Sequence, residues 1–231
     1  MSPMGQDENQ LKIAAADSAV AQVTDGMIVG LGSGSTAAFA VSALGKRVAE
    51  GLRIVGIPTS ERTAAHARAL GIPLSSLENE PQLDITIDGA DEVEQGNLNL
   101  IKGHGGALLR EKIIASASKK LVIVVHGDKL VAHLGVHYPV PVEVVAFGWQ
   151  VTARRLSNLG AKPSLRRNPD GEPFRSDGGN YIVDCAFERI VSVESLAREL
   201  DHVVGVVEHG LFVGLTSEVH VAGAGGVRIL S

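Results

Sequence analysis

Short apolar strands alternate with helical segments through the first half of the chain, and this alternation restricts the fold more than any other feature. Residues that suit strands lie at 27–31, 53–57, 83–87 and 121–125. Helical patterns flank them at 10–24, 36–50, 61–70 and 106–118. The strand at 121–125 is entirely apolar, which is typical of a parallel strand covered on both faces. The alternation therefore predicts a three-layer α/β domain built around a parallel sheet.

The pattern changes after about Leu134. An edge-like strand is predicted at 140–147, because Pro139 precedes this apolar run and Pro141 lies within it. After it come a helix at 150–159, strands at 165–167 and 181–186, a helix at 194–200 and a strand at 203–207. This order predicts a smaller α+β domain of ferredoxin-like type. The arginines of this part are expected to lie on a solvated face: Arg154, Arg155, Arg166 and Arg167.

Two further strands follow in the C-terminal segment, and we expect them to rejoin the first domain. The predicted division is therefore one domain at 1–132 together with 207–231, and a smaller domain at 133–206.

The composition excludes several classes of partner. A net charge of −5 and an aromatic content of 3 % disfavour nucleic acid as the partner. No apolar run reaches the roughly 18–20 residues of a membrane helix, and the first ten residues lack the features of a signal peptide. The only cysteine, Cys185, cannot form an internal disulfide. Its apolar surroundings predict a buried thiol in a cytoplasmic protein.

A loop rich in glycine and hydroxyl groups follows the first strand. Its residues are Gly32, Ser33, Gly34, Ser35 and Thr36, and a helix begins directly after them. Backbone N–H groups, hydroxyls and the positive end of the helix favour a phosphate there. The glycine spacing departs from the dinucleotide fingerprint, and no lysine follows as in a P-loop. We therefore expect a small phosphate ester rather than a nucleotide.

The segment 101–112, IKGHGGALLREK, combines a lysine, a glycine loop and a helix that carries a glutamate. Free N–H groups in such a loop can point at one small anion. Asp88 and Asp91 follow the preceding strand in a glycine turn. Together these residues indicate acid–base chemistry on a small polar molecule. His133 and His137 are spaced like metal ligands on a helix, but the nearby glycine and prolines argue against a helix, and no metal is predicted.

Several motifs of this chain occur in the same order in a known family. They are GLGSGSTAA, IDGADEV, IKGHGGALLREKIIA, PVPVEV and VEHGLFVGL. By these motifs the chain resembles ribose-5-phosphate isomerases of type A. The resemblance covers essentially the whole chain, from Leu11 to Leu230. One departure is His104, which stands where we would expect a glycine. It could perturb the loop or add a side chain near the ligand, and we expect tolerance because the neighbouring glycines remain.

The resemblance implies a Rossmann-like main domain beside the smaller α+β domain. It also implies interconversion of D-ribose 5-phosphate and D-ribulose 5-phosphate in the pentose phosphate pathway, without a metal or an organic cofactor. The expected partners are this sugar phosphate and further copies of the chain, in a homodimer or a dimer of dimers.

The resemblance also suggests roles for individual residues. Glu111 would be the general base, Lys102 would stabilise the developing negative charge, and Asp88 and Asp91 would handle hydroxyl protons, with Asp88 favoured for ring opening. Ser33 to Thr36 would hold the phosphate with help from two lysines. Besides Asp88, Asp91 and Lys102, the expected substrate-binding residues are Lys12, Ser33, Gly34, Ser35, Thr36, Gly89, Ala90, Gly103, His104, Gly105 and Lys129.

Other interpretations remain open from the residues alone. The aspartates could merely shape a turn, and the lysine and glutamate could be a surface pair. A sugar-phosphate-sensing domain of a transcription regulator would share this type of fold and loop, although it normally carries a helix-turn-helix module. An amino-sugar phosphate isomerase or a coenzyme A transferase is a further alternative. The first would need a ring-opening histidine, and the second a longer chain or a partner chain.

Overall fold

The computed structural model describes residues 8–231, and within them the chain forms six α-helices, a short 3₁₀ helix at Gly127–Lys129 and fourteen strands. The helices are α1 (Glu8–Val20), α2 (Ser35–Ala49), α3 (Glu61–Ala69), α4 (Leu108–Ser116), α5 (Trp149–Asn158) and α6 (Val193–Asp201). The strands are β1 (Ile28–Leu31), β2 (Val55–Pro58), β3 (Ile85–Asp88), β4 (Glu92–Glu94), β5 (Leu100–Ile101), β6 (Leu121–His126), β7 (Leu130–Val131), β8 (Val140–Val144), β9 (Lys162–Leu165), β10 (Tyr181–Ala186), β11 (Val206–His209), β12 (Leu211–Phe212), β13 (Glu218–Gly223) and β14 (Gly226–Leu230). The prediction about a signal peptide concerns a segment that lies mostly outside the described residues.

The chain divides into two compact units. The first comprises the residues up to Ala90, Arg110–Lys129 and Leu215–Ser231, and the second comprises Asp91–Leu109 and Leu130–Gly214. Residues 91–109, 130–132 and 207–214 thus belong to the second unit, whereas the sequence assigned them to the first domain. The reason is strand pairing, because β4, β5, β7 and β12 join one another in a small sheet of the second unit.

The first unit is built on a six-stranded sheet in the order β14-β13-β6-β3-β1-β2. All neighbouring pairs are parallel except β13 and β14, which are antiparallel. The strand order reverses at β1, because β1 pairs with β2 on one side and with β3 on the other. In open α/β sheets, ligands bind outside the carboxyl ends of the strands at such a reversal. The loops after β1 and β3 are therefore the expected place for a ligand.

Small and branched side chains fill the core of the first unit. Ala15 and Ala19 of α1 are fully buried in one cluster with Leu44 of α2 and with the strand residues Val29 and Val122. Alanines on α1 allow the helix to approach its neighbours closely, which makes α1 an integral part of the core. The apolar spacing that predicted this helix is therefore explained by its packing.

The second unit contains a four-stranded antiparallel sheet in the order β11-β8-β10-β9, with α5 and α6 between its strands along the chain. This is the strand and helix order of a ferredoxin-like domain, so the predicted fold class of a Rossmann-like domain with a smaller α+β domain is confirmed. The prediction of an edge strand was wrong, because β8 pairs with β10 on one side and β11 on the other. β11 ends at His209, opposite Val142, so the missing N–H of Pro141 falls beyond the last pair.

A third sheet, in the order β12-β5-β4-β7, was not predicted. Its strands contain two or three residues each, which is too short for a period-two pattern to be visible in the sequence. None of the helices within residues 8–231 combines the length and the apolar composition needed to cross a bilayer.

Candidate functional site

The loop after β1 lies against Asp88 at the end of β3. The backbone N–H of Ser33 donates to Oδ1 of Asp88 at 3.0 Å. A Cβ atom added to Gly32 would lie 2.5 Å from the Cα atom of Asp88, so only glycine fits at this position. The close approach explains why the sequence requires a glycine here, and it fixes the hydroxyl-rich loop beside a carboxylate.

The N-terminus of α2 faces the same loop. The residue that caps the helix is Gly34, with φ 98° and ψ 175°, so no side chain occupies the capping position. The first N–H groups of an α-helix have no partner within the helix and attract an anion. Ser35 is exposed and Thr36 is half-buried, so both are accessible beside these N–H groups.

The hydroxyl of Ser33 belongs to a buried cluster of hydroxyl groups. Its Oγ lies 2.7 Å from Oγ1 of Thr59, 2.7 Å from Oγ of Ser60 and 3.0 Å from Oγ1 of Thr63. Ser60 also caps α3, because its Oγ accepts from the N–H of Thr63. The Ser33 side chain therefore anchors the loop to the start of α3, and the N–H of this residue is already bound to Asp88.

Asp88 is 1 % exposed although it is ionisable. Its Oδ1 atom accepts from the backbone N–H groups of Ser33 and Gly89, the latter at 2.8 Å. Two donors on one oxygen fix the orientation of the carboxylate. A buried carboxylate held in one orientation is suited to exchanging a proton with a bound hydroxyl group.

Glu111 lies in the first turn of α4 and is 5 % exposed. Three residues later, Ile114 packs in a buried cluster with Ile57 and Leu83, and side chains spaced by three share one face of a helix. The burial of Glu111 thus follows from the way α4 packs on the sheet. The predicted base is a largely water-shielded carboxylate near the positive end of a helix.

Lys12 and Lys129 are brought together around His126. Lys12 forms an ion pair with Glu8 at 2.6 Å, and this hydrogen bond lowers the pKa of Glu8. The His126 ring, 7 % exposed, lies 3.8 Å from Oε1 of Glu8 and 3.7 Å from Oδ2 of Asp128. Burial, and next the positive charge of Lys129, lower the pKa of His126. Sequence reasoning missed this histidine, whose only signal is its place at the end of an apolar strand.

In the second unit, Asp91 is bonded to the glycine loop. Its Oδ2 atom accepts from the N–H of His104 at 2.9 Å, and its own N–H donates to the carbonyl of Ile101. Gly103 has φ +104°, and a Cβ atom there would lie 2.7 Å from Cβ of Leu108. The loop therefore needs glycine at 103, and Asp91 shapes it.

Lys102 is 2 % exposed, which excludes the interpretation of a surface lysine. It directly follows β5, and its N–H donates to the carbonyl of Gly210 at 2.9 Å. Its Nζ atom lies 5.4 Å from the centre of the Phe212 ring, within the range of a cation–π contact. The ammonium group is thus held in a buried position.

His104, the departure from the family pattern, is exposed. Its ring packs edge-on against Tyr138, with ring centres 5.3 Å apart. Its backbone N–H and C=O groups both take part in the loop's hydrogen bonds. The imidazole is therefore accommodated on the outer side of the loop.

The prediction of a solvated arginine face was wrong for Arg166. Its side chain is only 12 % exposed, and it forms an ion pair with Asp184. Its NH1 group donates to the carbonyls of Gly103 and His104, at 2.9 and 2.8 Å. Neither spacing nor composition distinguishes Arg166 from Arg167 next to it, so the sequence carries no signal of this role.

One group within residues 8–231 brings three possible metal ligands together: Asp201, Glu208 and His209. The N–H of Leu211 donates to Nδ1 of His209, so the neutral ring carries its proton on Nε2. That Nε2 lies 3.2 Å from Oδ1 of Asp201. The arrangement suits a hydrogen bond to Asp201, since a metal ion would need a lone pair on Nε2.

His133 and His137 lie in an exposed segment of bends and turns, as the sequence predicted, and not on a helix. The carboxylate of Glu92 accepts backbone N–H groups of this segment, including that of Gly135. Cys185 is fully buried, and burial raises the pKa of its thiol to about 12, so the prediction of a structural thiol is confirmed.

Comparison with known proteins identifies the family of the chain. The family model of ribose 5-phosphate isomerase A (phosphoriboisomerase A) matches residues 55–226. The chain is 57 % identical over 225 residues to the ribose-5-phosphate isomerase A of Gloeobacter violaceus, and the match covers 97 % of both chains.

Solved structures give the same result. Ribose 5-phosphate isomerase A from Methanocaldococcus jannaschii superimposes with a TM-score of 0.93 at 40 % identity, covering 97 % of this chain and 100 % of that one. A D-ribose-5-phosphate isomerase in complex with phospho-erythronic acid gives a TM-score of 0.94 at 37 % identity, covering 98 % and 100 %. Because these similarities extend over nearly the whole sequence, the chain belongs to the ribose 5-phosphate isomerase A family of enzymes.

Proposed function

We propose that this enzyme interconverts D-ribose 5-phosphate and D-ribulose 5-phosphate through an enediolate, with Glu111 as the general base, in the non-oxidative pentose phosphate pathway. Membership of the isomerase family supports the reaction, and a sugar-phosphate site is consistent with the loop after β1. The observation that carries the proposal is the bond from the Ser33 N–H to Asp88, because it joins a phosphate-type loop to a buried carboxylate.

The phosphate would bind at the N-terminus of α2. The N–H groups of Gly34, Ser35 and Thr36 can donate to it, and Lys12 and Lys129 add positive charge. The uncapped helix end supports this role. Binding energy from the remote phosphate can then be used to orient the reacting carbons.

Proton transfer between adjacent carbons is the central step. Glu111 would take the proton from C2 of the open-chain aldose, which leaves an enediolate, and would return it to C1 to give the ketose. One carboxylate can do both halves because the two carbons are neighbours. Burial of Glu111 supports this role, since the carboxylate is shielded from bulk water. Such a base accelerates a reaction by about 10²–10⁴-fold.

The oxygen that becomes negative would be stabilised by Lys102 and by the N–H groups of Gly103 and Gly105, since the N–H of His104 already donates to Asp91. Lys102 is buried, and the loop is held in place by Asp91, so these donors are fixed before the reaction. One well-placed donor of this kind contributes about 3 kcal/mol to lowering the barrier. Gly89 and Ala90 would line the substrate next to Asp88.

Asp88 and Asp91 would move hydroxyl protons. Only the open-chain sugar can enolise, so the furanose ring has to open first. Asp88 would assist this opening, and its fixed orientation supports the assignment.

Turnover of ribose 5-phosphate to ribulose 5-phosphate by chelator-treated protein is the test. We expect the wild type to be active and Glu111→Gln to lose about 10²–10⁴-fold in kcat. The matched control is Glu61→Gln, which alters an exposed glutamate in the first turn of α3. It should keep wild-type activity.

Equal activity of Glu111→Gln and wild type would overturn the assignment of the base. Binding of ribose 5-phosphate without turnover would instead support a sensing domain. Inhibition by the chelator would contradict a reaction that needs no metal. The cytoplasmic location and the homodimer or dimer of dimers are further parts of this proposal.

A further inference from the structure

Two carbonyl groups of the glycine loop point at one guanidinium. The NH1 group of Arg166 donates to the carbonyl oxygens of Gly103 and His104, at 2.9 and 2.8 Å. Arg166 directly follows β9, and its own N–H donates to the carbonyl of Ile182 on β10 at 2.9 Å. The backbone of Arg166 is thus hydrogen-bonded to the antiparallel sheet of the second unit.

The carbonyl bonds determine the direction of the loop's N–H groups. In a trans peptide the N–H points away from the C=O of the same unit. The peptide between Gly103 and His104 is held at both ends, since its carbonyl binds Arg166 and its N–H binds Asp91. The next peptide has its carbonyl on Arg166, so the N–H of Gly105 is turned away from the guanidinium.

Arg166 is itself fixed by a second set of contacts. Its Nε donates to Oδ2 of Asp184 at 2.9 Å, and its NH2 donates to Oδ1 of the same carboxylate. The ring of Phe174 lies 5.9 Å from its Cζ atom. The planar guanidinium can bind the carboxylate with its Nε and NH2 groups and the two carbonyls with its NH1 group, which an ammonium cannot do.

We infer that Arg166 is a positioning residue for the reaction: it holds the loop 103–105 so that the N–H of Gly105 faces the developing negative oxygen. This inference rests on the proposed function, in which that oxygen is stabilised by Lys102 and the loop. Asp184 supports Arg166 and acts through it. The hairpin of β9 and β10 then has a function in catalysis, because it carries the arginine that supports the loop 103–105.

The test compares Arg166→Lys with Arg167→Lys. The first variant keeps the charge and loses the planar fork. The second changes an exposed neighbour that donates only to the carbonyl of Gly171 within its own turn. Because a displacement of about 1 Å can cost about a hundredfold in rate, we expect kcat of Arg166→Lys to fall about ten- to a hundredfold. KM should change by less than about threefold, since the phosphate would still be bound by the loop after β1. Arg167→Lys should behave as wild type.

A second measurement is independent of turnover. Amide exchange of His104, followed by NMR, reports the N–H that donates to Asp91, and we expect it to become faster in Arg166→Lys and to stay unchanged in Arg167→Lys. Asp184→Asn, which keeps the size of the support, should give a smaller effect of the same kind.

The outcomes separate this inference from the proposed function. An inactive wild type would refute the isomerase proposal, while faster exchange in Arg166→Lys would still show that the arginine anchors the loop. An active wild type with unchanged kcat in Arg166→Lys would overturn the inference. A parallel rise in KM with constant kcat would also overturn it, because that result indicates substrate binding in place of positioning.

Discussion

Gly32 illustrates how a single residue limits the site in the first unit. The backbone of Asp88 occupies the space in which a side chain at 32 would have to lie. The glycine thus has a packing reason that is independent of any ligand. Sequence reasoning found the loop but had no means of knowing which of its glycines touches a neighbouring strand.

We predict that Gly32→Ala is destabilised and less active. The added methyl group has to move the loop or Asp88, and overpacking of this kind costs about 1–3 kcal/mol. Urea unfolding and turnover measure the two effects. Gly223→Ala is the control, because a Cβ atom there meets nothing within 4 Å. Equal stability of the two variants would contradict the close approach of Gly32 and Asp88.

At the scale of elements, a buried polar network joins α1 to β13. Nδ1 of His220 lies 2.8 Å from Oγ of Ser18, and its Nε2 lies 3.0 Å from Nε2 of Gln22. Lys120 forms an ion pair with Glu218 at 2.6 Å. Hydrogen bonds from Lys120 and Gln22 lower the pKa of Glu218 to about 2. A fully buried histidine is thereby fixed between a helix and the sheet.

This network makes stability depend on pH. Burial lowers the pKa of His220, so the folded state keeps the ring neutral while the unfolded chain binds a proton. The neutral His220 ring therefore contributes fully to the free energy of unfolding above the unfolded pKa of about 6.5. This contribution is lost as the pH falls through that value. We predict that the unfolding free energy of His220→Gln falls less than that of the wild type as the pH is lowered from about 7.5 to about 5.5.

Urea unfolding at several pH values measures that slope. His202→Gln changes an exposed histidine of the second unit and should keep the wild-type slope. His126, whose pKa is also lowered, contributes in the same direction, so the slope should shrink and not vanish. An unchanged slope in His220→Gln would exclude this histidine as a source of the acid sensitivity.

The elements themselves were largely predictable. The alternation of strands and helices predicted the first sheet, because each strand and each helix leaves its own local pattern in the sequence. The small sheet of β4, β5, β7 and β12 was missed, since its pairings connect distant segments and leave no local period. Arg166 was missed for the same reason, because its partners lie about sixty residues earlier in the chain.

At the scale of the whole molecule, exposed apolar side chains on the second unit support the proposed association of subunits. Phe147 is 94 % exposed and Val204 is 75 % exposed. Their backbone segments are neighbours, because the N–H of Val145 donates to the carbonyl of Gly205 at 2.9 Å. Exposed apolar groups of this kind are typical of interfaces.

We predict a mass of two or four times the chain mass of 24.1 kDa in light scattering. Phe147→Asp should lower that mass, because a charge at an apolar interface is costly to bury. Thermal unfolding of the wild type and of Phe147→Asp is the control that the variant is folded. A monomeric wild type at working concentration would contradict the proposed homodimer or dimer of dimers.

The small sheet has a consequence for how the protein is made. β5, which leads into Lys102, pairs with β12 at residues 211–212, and β6 pairs with β13 at residues 218–223. A ribosome releases these partners only after most of the chain has been synthesised. β5 also pairs with β4 and β6 with β3, so the segments that carry Lys102 and His126 lack one of their two strand partners until late in translation. During that interval one edge of the apolar β6 is open to wrong pairings, which makes the unfinished chain prone to aggregate.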